Sequence, residues 1–400
     1  MSGDGIHPGK VLPRKVLLVA PVVTHPGATG AGARVRDMAS ALRGLGHDVH
    51  FLYLQQPLFL DHAPMRKFWA DRLHVFRALS PASCVARARR KLIRLGAKTF
   101  GWNVPVDSYF DPGCANALEG LLAATEFEAV IVSYVFYSKL FAFIPAGVRR
   151  ILDTHDVFAD RYQLYQAHGQ RAEFFSTSRA EEAKALGRAD VVLAIQAGDA
   201  AHFRSLVEQP VVVVGHLAPP ALVAASAPPA GAGVLFVGGP MAINVHGVHW
   251  LLREVWPKVR RERPDAELWL AGGVSQHVAE TPGVRRLGFV DDLAGLYSRA
   301  SVIVNPQQFG TGLSIKCVEA LASGRPLVTT VSGARGLEDG AGTAFLAARS
   351  PEEFTECVLR LLRDRDHATA LAREAAQFAQ EYHRRNLRAL ANVVDGSAEL

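Results

Sequence analysis

The sequence predicts an α/β protein made of two doubly wound halves that face each other across a cleft. Three observations carry this expectation. Continuous apolar runs of strand length recur along the chain, as expected for parallel strands covered by helices on both faces. Stretches with helical spacing lie between them, so the order reads strand, helix, strand. The series stops at a segment rich in Ala, Pro and Gly and then starts again. A chain of 400 residues is long enough for two such units.

In the first half, "KVLLVAPVV" (15–23) reads as a strand buried on both faces. "THPGATGAGAR" (24–34) reads as a Gly-rich turn, and "VRDMASALRGLGHDV" (35–49) as a helix. Further strands are read at "VHFLYL" (49–54), "EAVIVSY" (128–134), "RRILDTHD" (149–156), "ADVVLAI" (189–195) and "QPVVVVGH" (209–216). The linker is residues 217–233. The second half has strands at "VLFVGG", "AELWLAGG", "VRRLGFV", "SVIVNPQ" and "PLVTT", with helices at "GVHWLLREVWPKVRRERP" and "DLAGLYSRA". Residues 350–383 read as two helices opened by "SPEE", a serine cap with proline at the first helical position. This divides the chain into a flexible start (1–14), a first half (15–216), the linker, a second half (234–383) and a tail (384–400) expected to pack back on the first half.

The chain is 49% hydrophobic and 20% charged, so a sizeable core is available. Its four cysteines are scattered without a CxxC pair, which fits a reducing compartment rather than a disulfide framework or thiolate metal site. The start carries no long apolar region and no run of about 18 apolar residues occurs, so neither a signal peptide nor a membrane-spanning helix is expected. The expected location is cytoplasmic, with the inner membrane face as a docking surface.

The stretch "GTGLSIKCVEALASGRP" (310–326) carries the chemistry. Read as one helix it is apolar nearly all round, yet Gly312, Lys316, Glu319 and Ser323 fall on one stripe. The plain reading is a local Lys316–Glu319 ion pair. The sharper one places phosphate at the glycine-lined helix start beside Lys316, with Glu319 accepting from vicinal hydroxyls of a ribose.

The string "GFVDDL…LY…A…V…P…G…G…IK..EA.A.GRP.V.T" resembles the C-terminal half of the GT-B glycosyltransferases, most nearly the retaining family-four (group 1) enzymes. "P….GAGARVRDMASALRGLGHDV" and "DTHD" resemble the N-terminal half more loosely. The resemblance implies two Rossmann-like doubly wound domains, an acceptor-binding one first and a nucleotide-sugar-binding one second. It implies that Glu319 binds the donor ribose, Lys316 lies near the diphosphate, and the base lies against Gly288 and Val290. It places Gly30, Gly32 and Arg34 near phosphates and acceptor, Thr311, Gly312 and Ser314 on the donor, and His155 with Asp156 at the donor sugar. It implies no metal or other cofactor. Thr311 stands where the family often has a glutamate, separated by seven residues from the second carboxylate, and "VGGPMAINVHG" lacks the basic pair many members carry. Lys316 and helix N-terminal N–H groups are expected to stand in for those cations.

Residues 66–98 hold ten Lys/Arg against Asp71 alone, interleaved with aromatic and aliphatic residues. The pattern fits a solvated helical hairpin or a basic surface for anionic lipid; nucleic acid is the weaker electrostatic reading. The implied partners are a nucleotide-sugar donor, a glycan or lipid-linked acceptor and an anionic membrane surface, without nucleic acid. A nucleotide-sugar 2-epimerase and a non-catalytic sugar-nucleotide-binding subunit share this architecture. A dinucleotide oxidoreductase fits less well, since "GATGAG" is no GxGxxG and no acid ends the second strand.

Overall fold

The structure, a computed structural model, describes residues 13–25, 29–55, 62–77, 81–100, 103–171, 173–218, 228–229 and 231–396. Residues 1–12 of the expected flexible start, and 219–227 and 230 of the expected linker, lie outside the described residues.

The first half holds β1 (Lys15–Ala20), β2 (Asp48–Gln55), β3 (Leu73–Arg77), β4 (Ala129–Ser133), β5 (Arg149–Asp153), β6 (Val191–Ala194) and β7 (Val211–Val213). They form one parallel sheet in the order β3-β2-β1-β4-β5-β6-β7. Its helices are α1 (Gly30–Gly44), α2 (Ala63–Trp69), α3 (Pro81–Phe100), α4 (Pro112–Ala124), α5 (Arg161–Ala167), α6 (Arg179–Leu186) and α7 (Ala197–Arg204). The second half holds β8 (Gly233–Val237), β9 (Glu267–Ala271), β10 (Val284–Gly288), β11 (Val302–Asn305), β12 (Leu327–Thr330) and β13 (Leu346–Ala348), ordered β10-β9-β8-β11-β12-β13. Its helices are α8 (Ala242–Trp250), α9 (Trp256–Glu262), α10 (Leu293–Arg299), α11 (Ile315–Ala322), α12 (Pro351–Arg363) and α13 (Arg365–Asp395).

The expected apolar runs are the central strands, and the reason is burial. Val16 to Ala20 are enclosed on both sides, with Leu17 and Val19 in one core layer and Val16, Leu18 and Ala20 in the other. The strand order reverses between β1 and β4 and again between β8 and β11. Those two switch points open crevices at the carboxyl ends of the strands.

Four local expectations change. Helix α1 starts at Gly30, not after the glycines, because Thr29 caps it by accepting from the Gly32 N–H. The helix expected at 247–264 is interrupted by a π turn at Leu251–Val255, just before Pro257, whose ring cannot continue the hydrogen-bond ladder. The basic segment is not a hairpin of helices, since Leu73–Arg77 adds the edge strand β3. Much of its apolar content faces inward. Trp69 is buried, stacked on Phe51 and donating to Thr24 Oγ1, while Phe68, Leu73, Phe76 and Ile93 pack against the core. Lastly, the final helix runs unbroken to Asp395.

That last helix ties the halves together. Its Ala375, Ala379 and Tyr382 pack in the second half, while Leu390, Val393 and Val394 fill the core of the first. Between these patches it meets the segment where the chain leaves the first half. The Gly215 N–H donates to Asn386 Oδ1 at 2.6 Å, and His383 Nδ1 lies 3.2 Å from the Ala218 carbonyl oxygen. A Cβ on Gly215 would lie 1.8 Å from the Tyr382 hydroxyl. Gly215→Ala is therefore expected to destabilise the protein by about 1–3 kcal/mol, the usual range for overpacking. Adding Tyr382→Phe should recover part of that loss. Thermal unfolding of the two variants checks it; equal stability of Gly215→Ala and wild type would contradict the contact.

Candidate functional site: the cleft between the two sheets

The first half contributes the turn after β5. The strand ends at Asp153, and His155 adopts a left-handed backbone at φ 63°. Tyr134, just beyond β4, does the same at φ 74°. Non-glycine residues held this way store about 1–3 kcal/mol each and persist only where their surroundings fix them. Here the two rings stack at 4.2 Å between centroids. Asp153 is fully buried below them. Arg34 grips it with Nε at 3.0 Å from both carboxylate oxygens and Nη2 at 2.7 Å, and His155 Nε2 lies 3.0 Å from Oδ2. Burial would raise its pKa, but the Arg34 charge and His155 hold it well below the usual carboxylate range.

Arg34 therefore does not line the cleft. It is 2% exposed, and its remaining donors go to the Val214 and Gly215 carbonyls. The expectation that it touches substrate is corrected: the residue sits one layer below the surface. Gly32 also has a packing reason, since a Cβ there would lie 2.2 Å from the Val23 carbonyl oxygen.

The second half contributes the loop after β11. Gly310 and Gly312 have φ of 150° and 71°, so the helix expected from residue 310 starts only at Ile315, and Gly312 leaves the stripe. Ser314 Oγ accepts from Asn305 Nδ2 at 3.0 Å, which anchors the helix start to the end of β11. Lys316 and Glu319 remain, one turn apart, but they do not pair with each other. Lys316 Nζ donates to Asn244 Oδ1 on α8 at 2.9 Å and lies 5.5 Å from the Phe236 ring centroid. Glu319 Oε2 accepts from the Tyr297 hydroxyl at 3.2 Å. Burial lowers the Lys316 pKa. Burial, reinforced by Asp37 on α1, pushes the Glu319 carboxyl up to about 7 against the pull of Tyr297, Arg36 and Lys316.

The two halves touch at these residues. A Cβ on Gly312 would lie 3.1 Å from Asp156 Oδ1 and 3.3 Å from the His155 carbonyl oxygen. One on Gly30 would lie 3.2 Å from Ile315 Cδ1, so α1 and α11 begin side by side and their positive ends converge next to Lys316. His155, Asp156, Gly30, Thr311, Gly312, Ser314, Lys316 and Glu319 thus share one region. Gly288 and Val290 stand elsewhere on the same edge of the second sheet. The Gly288 carbonyl accepts from the Gly272 N–H at 2.6 Å, and Val290 packs beside the core that holds Tyr297.

Sequence reasoning missed Asn244, Tyr297 and Asp199. Asp199 is pushed up to about 8, chiefly by burial and then by the Asp156 charge, while Gln196 Nε2 donates to it at 2.5 Å. Its position three residues after the Gln196 cap was the available signal.

A family model for a glycosyl transferase 4-like domain matches residues 29–216, and one for glycosyl transferases group 1 matches 231–364. The chain belongs to the group 1 glycosyltransferases. Solved structures agree on the fold, GT-B. Sucrose-phosphate synthase of Thermosynechococcus elongatus superposes with a TM-score of 0.66 at 18% identity, covering 94% of this chain and 96% of that one. The pneumococcal O-GlcNAc transferase GtfA, solved with UDP and GlcNAc, gives 0.67 at 11% identity, covering 97% and 100%. HepE of Anabaena, solved with UDP and glucose, gives 0.63 at 13% identity, covering 96% and 98%. A curated Klebsiella pneumoniae protein, described as an uncharacterized 44.6 kDa protein in the cps region, is 26% identical over 161 residues. That match spans 37% of this chain and 42% of the relative's length.

The electrostatics make a direct prediction. Carbon-13 NMR of the Glu319 carboxyl should show a midpoint near pH 7. Tyr297→Phe removes a hydrogen bond to the charged form and should move that midpoint upward. A midpoint at the ordinary glutamate value would contradict the buried environment.

Proposed function

We propose that the protein transfers a sugar from a nucleotide-diphosphate donor to a hydroxyl of a glycan or lipid-linked acceptor, with retention at the anomeric carbon. The observation that carries this is the pair Lys316 and Glu319. Both are half-buried on one helix at a switch point, and each is held by a neutral partner rather than by the other. Such an arrangement leaves a cation and a carboxylate to be matched by a ligand.

In this reading Glu319 accepts from the ribose hydroxyls. Lys316 and the converging starts of α1 and α11 hold the diphosphate. His155 and Asp156 meet the donor sugar, and Gly288 and Val290 hold the base. The anomeric C–O bond breaks with its electron pair leaving on the diphosphate, whose charge the lysine and helix ends stabilise. The acceptor oxygen then bonds to the anomeric carbon and gives its proton to the diphosphate oxygen that left. No metal is needed for this charge balance. The UDP complexes of GtfA and HepE support a nucleoside-diphosphate donor, and the cps-region relative supports a role in polysaccharide assembly.

A non-catalytic subunit would bind the nucleotide without turnover. Asp156 favours catalysis, because it brings a carboxylate against the loop in which Thr311 replaces one. A screen of nucleoside diphosphates and their sugars by thermal shift should find a stabilising ligand. Its affinity should fall about tenfold per unit as pH drops below the Glu319 midpoint, because the neutral acid cannot accept both ribose hydroxyls. Glu319→Ala should abolish that binding. Nucleotide release that requires an acceptor separates transfer from binding alone and from epimerisation.

For the membrane partner, α3 carries the argument. Ala86 and Arg90 are buried, with Arg90 donating to the Tyr109 carbonyl, so one face packs on the first half. On the opposite side Val85, Leu92 and Leu95 are 69%, 69% and 63% exposed, next to exposed Arg89 and Lys91. Among the described residues no helix is long and apolar enough to cross a membrane. An apolar and basic outer face fits an anionic bilayer surface. The protein should float with phosphatidylglycerol vesicles at low salt, and Arg89→Glu with Lys91→Glu should weaken that by about 1 kcal/mol or more per charge. Failure of the wild type to float would end this reading.

A further inference from the structure

Arg34 and Asp153 raise a question that packing does not answer. A buried ion pair is weak support for stability, because an apolar pair of the same volume usually does as well. What such a pair fixes is direction. A guanidinium is a planar fork, and its donors hold their acceptors in one relative orientation. Here the acceptors come from two places, the end of β5 and the segment just after β7. Nε and Nη2 hold Asp153, while Nη1 and Nη2 hold the Gly215 and Val214 carbonyls at 3.0 and 2.9 Å.

Val214 and Gly215 follow the last strand of the first half, where the chain leaves toward the second. The Gly215 peptide is also held from its other side by Asn386, on the helix that returns from the second half. Every covalent crossing between the halves passes this point. Asp153, in turn, ends β5 and lies 3.0 Å from His155 Nε2. The two atoms do not complete a hydrogen bond, so the carboxylate acts on the ring as a close charged neighbour. His155 itself has a strained backbone, so its ring direction is set by what it touches: Asp153 below and Tyr134 alongside.

We infer that Arg34 and Asp153 are positioning residues that tie the orientation of His155 to the hinge between the two halves. Val214 stays with β6, where its N–H donates to the Ala194 carbonyl, so a movement of the halves reaches the fork through Gly215, which Asn386 holds from the returning helix. The rigid fork passes that displacement to Asp153 and so to the imidazole. His155 then reaches its working orientation only in the closed protein, which links chemistry to closure. The inference rests on the reading that His155 meets the donor sugar.

The test uses the whole chain and four variants. Asp153→Asn keeps the volume and removes the charge; Arg34→Lys keeps a charge and removes the fork. Both should lower kcat at least tenfold while the donor KM and the UDP dissociation constant stay within twofold of wild type. A merely structural role would instead reduce the fraction able to bind UDP and leave kcat per binding site unchanged, which would overturn the inference. His155→Ala separates the two levels. If it leaves kcat unchanged, the assignment of His155 to the sugar fails. If it lowers kcat while Asp153→Asn and Arg34→Lys do not, the positioning inference fails and that assignment stands. Should the buried variants not fold, the wild type still decides. In nitrogen-15 histidine spectra, the His155 ring resonance (assigned by its loss in His155→Gln) should shift on addition of UDP, which lacks the transferable sugar that would touch the ring. An unchanged resonance under saturating UDP would overturn the coupling.

Discussion

Two parallel sheets can share one site only if the loops at their carboxyl ends come into contact, and here that approach depends on the absence of two side chains. Gly312 lies on the His155–Asp156 turn, and Gly30 lies on Ile315. At Gly312 the backbone is also left-handed, so a larger residue would be strained before it met its neighbour. Everything functional follows from these contacts. They bring a strained histidine turn from one sheet against a helix start from the other, and they set α1 and α11 side by side.

The charges in that region are arranged at a cost. A lysine and a carboxylate withdrawn from water would lose least by pairing. Instead Asn244 takes the lysine and Tyr297 takes the carboxylate, each supplying a neutral hydrogen bond, and the opposite charges nearby only partly offset burial. The cost appears as a glutamate displaced to about 7 and a lysine displaced downward. Arg34 and Asp153 show the opposite solution one layer deeper, where the charges satisfy each other and the carboxylate pKa falls. Charge paired in an ion pair supports the frame, and charge held by neutral partners faces the cleft.

Much of the fold was legible in the sequence because its central strands are covered on both sides, which writes burial as continuous apolar runs. "KVLLVA" and "SVIVN" are of this kind. The edge strand β3 was not legible: five residues of mixed polarity inside a basic segment carry no such signature. The start of α11 was misplaced because glycines at positive φ look like helix residues to a wheel. Lys316 and Glu319 could be read, since their relation is local. Asn244 and Tyr297 could not, since each lies far along the chain from the group it holds. Arg34 was misread for a related reason. Its neighbours in sequence are the glycines at the cleft, but its long side chain turns away from them to the centre of the sheet.

Thr311 shows where linear spacing stops being the right coordinate. Counting along the chain finds a carboxylate missing eight positions before Glu319. Measuring in space finds Asp156 of the other half against the next residue of the same loop, with its Oδ1 near the missing side chain of Gly312. Burial raises the Asp156 pKa, and Arg161 Nε at 3.4 Å opposes that rise. A carboxylate supplied across the cleft differs from one supplied within the loop in a single respect: it is in place only while the halves are together. The same holds for the convergence of α1 with α11. These features make the site complete only while the halves are together, and that arrangement is also the one that shields a cleft from water.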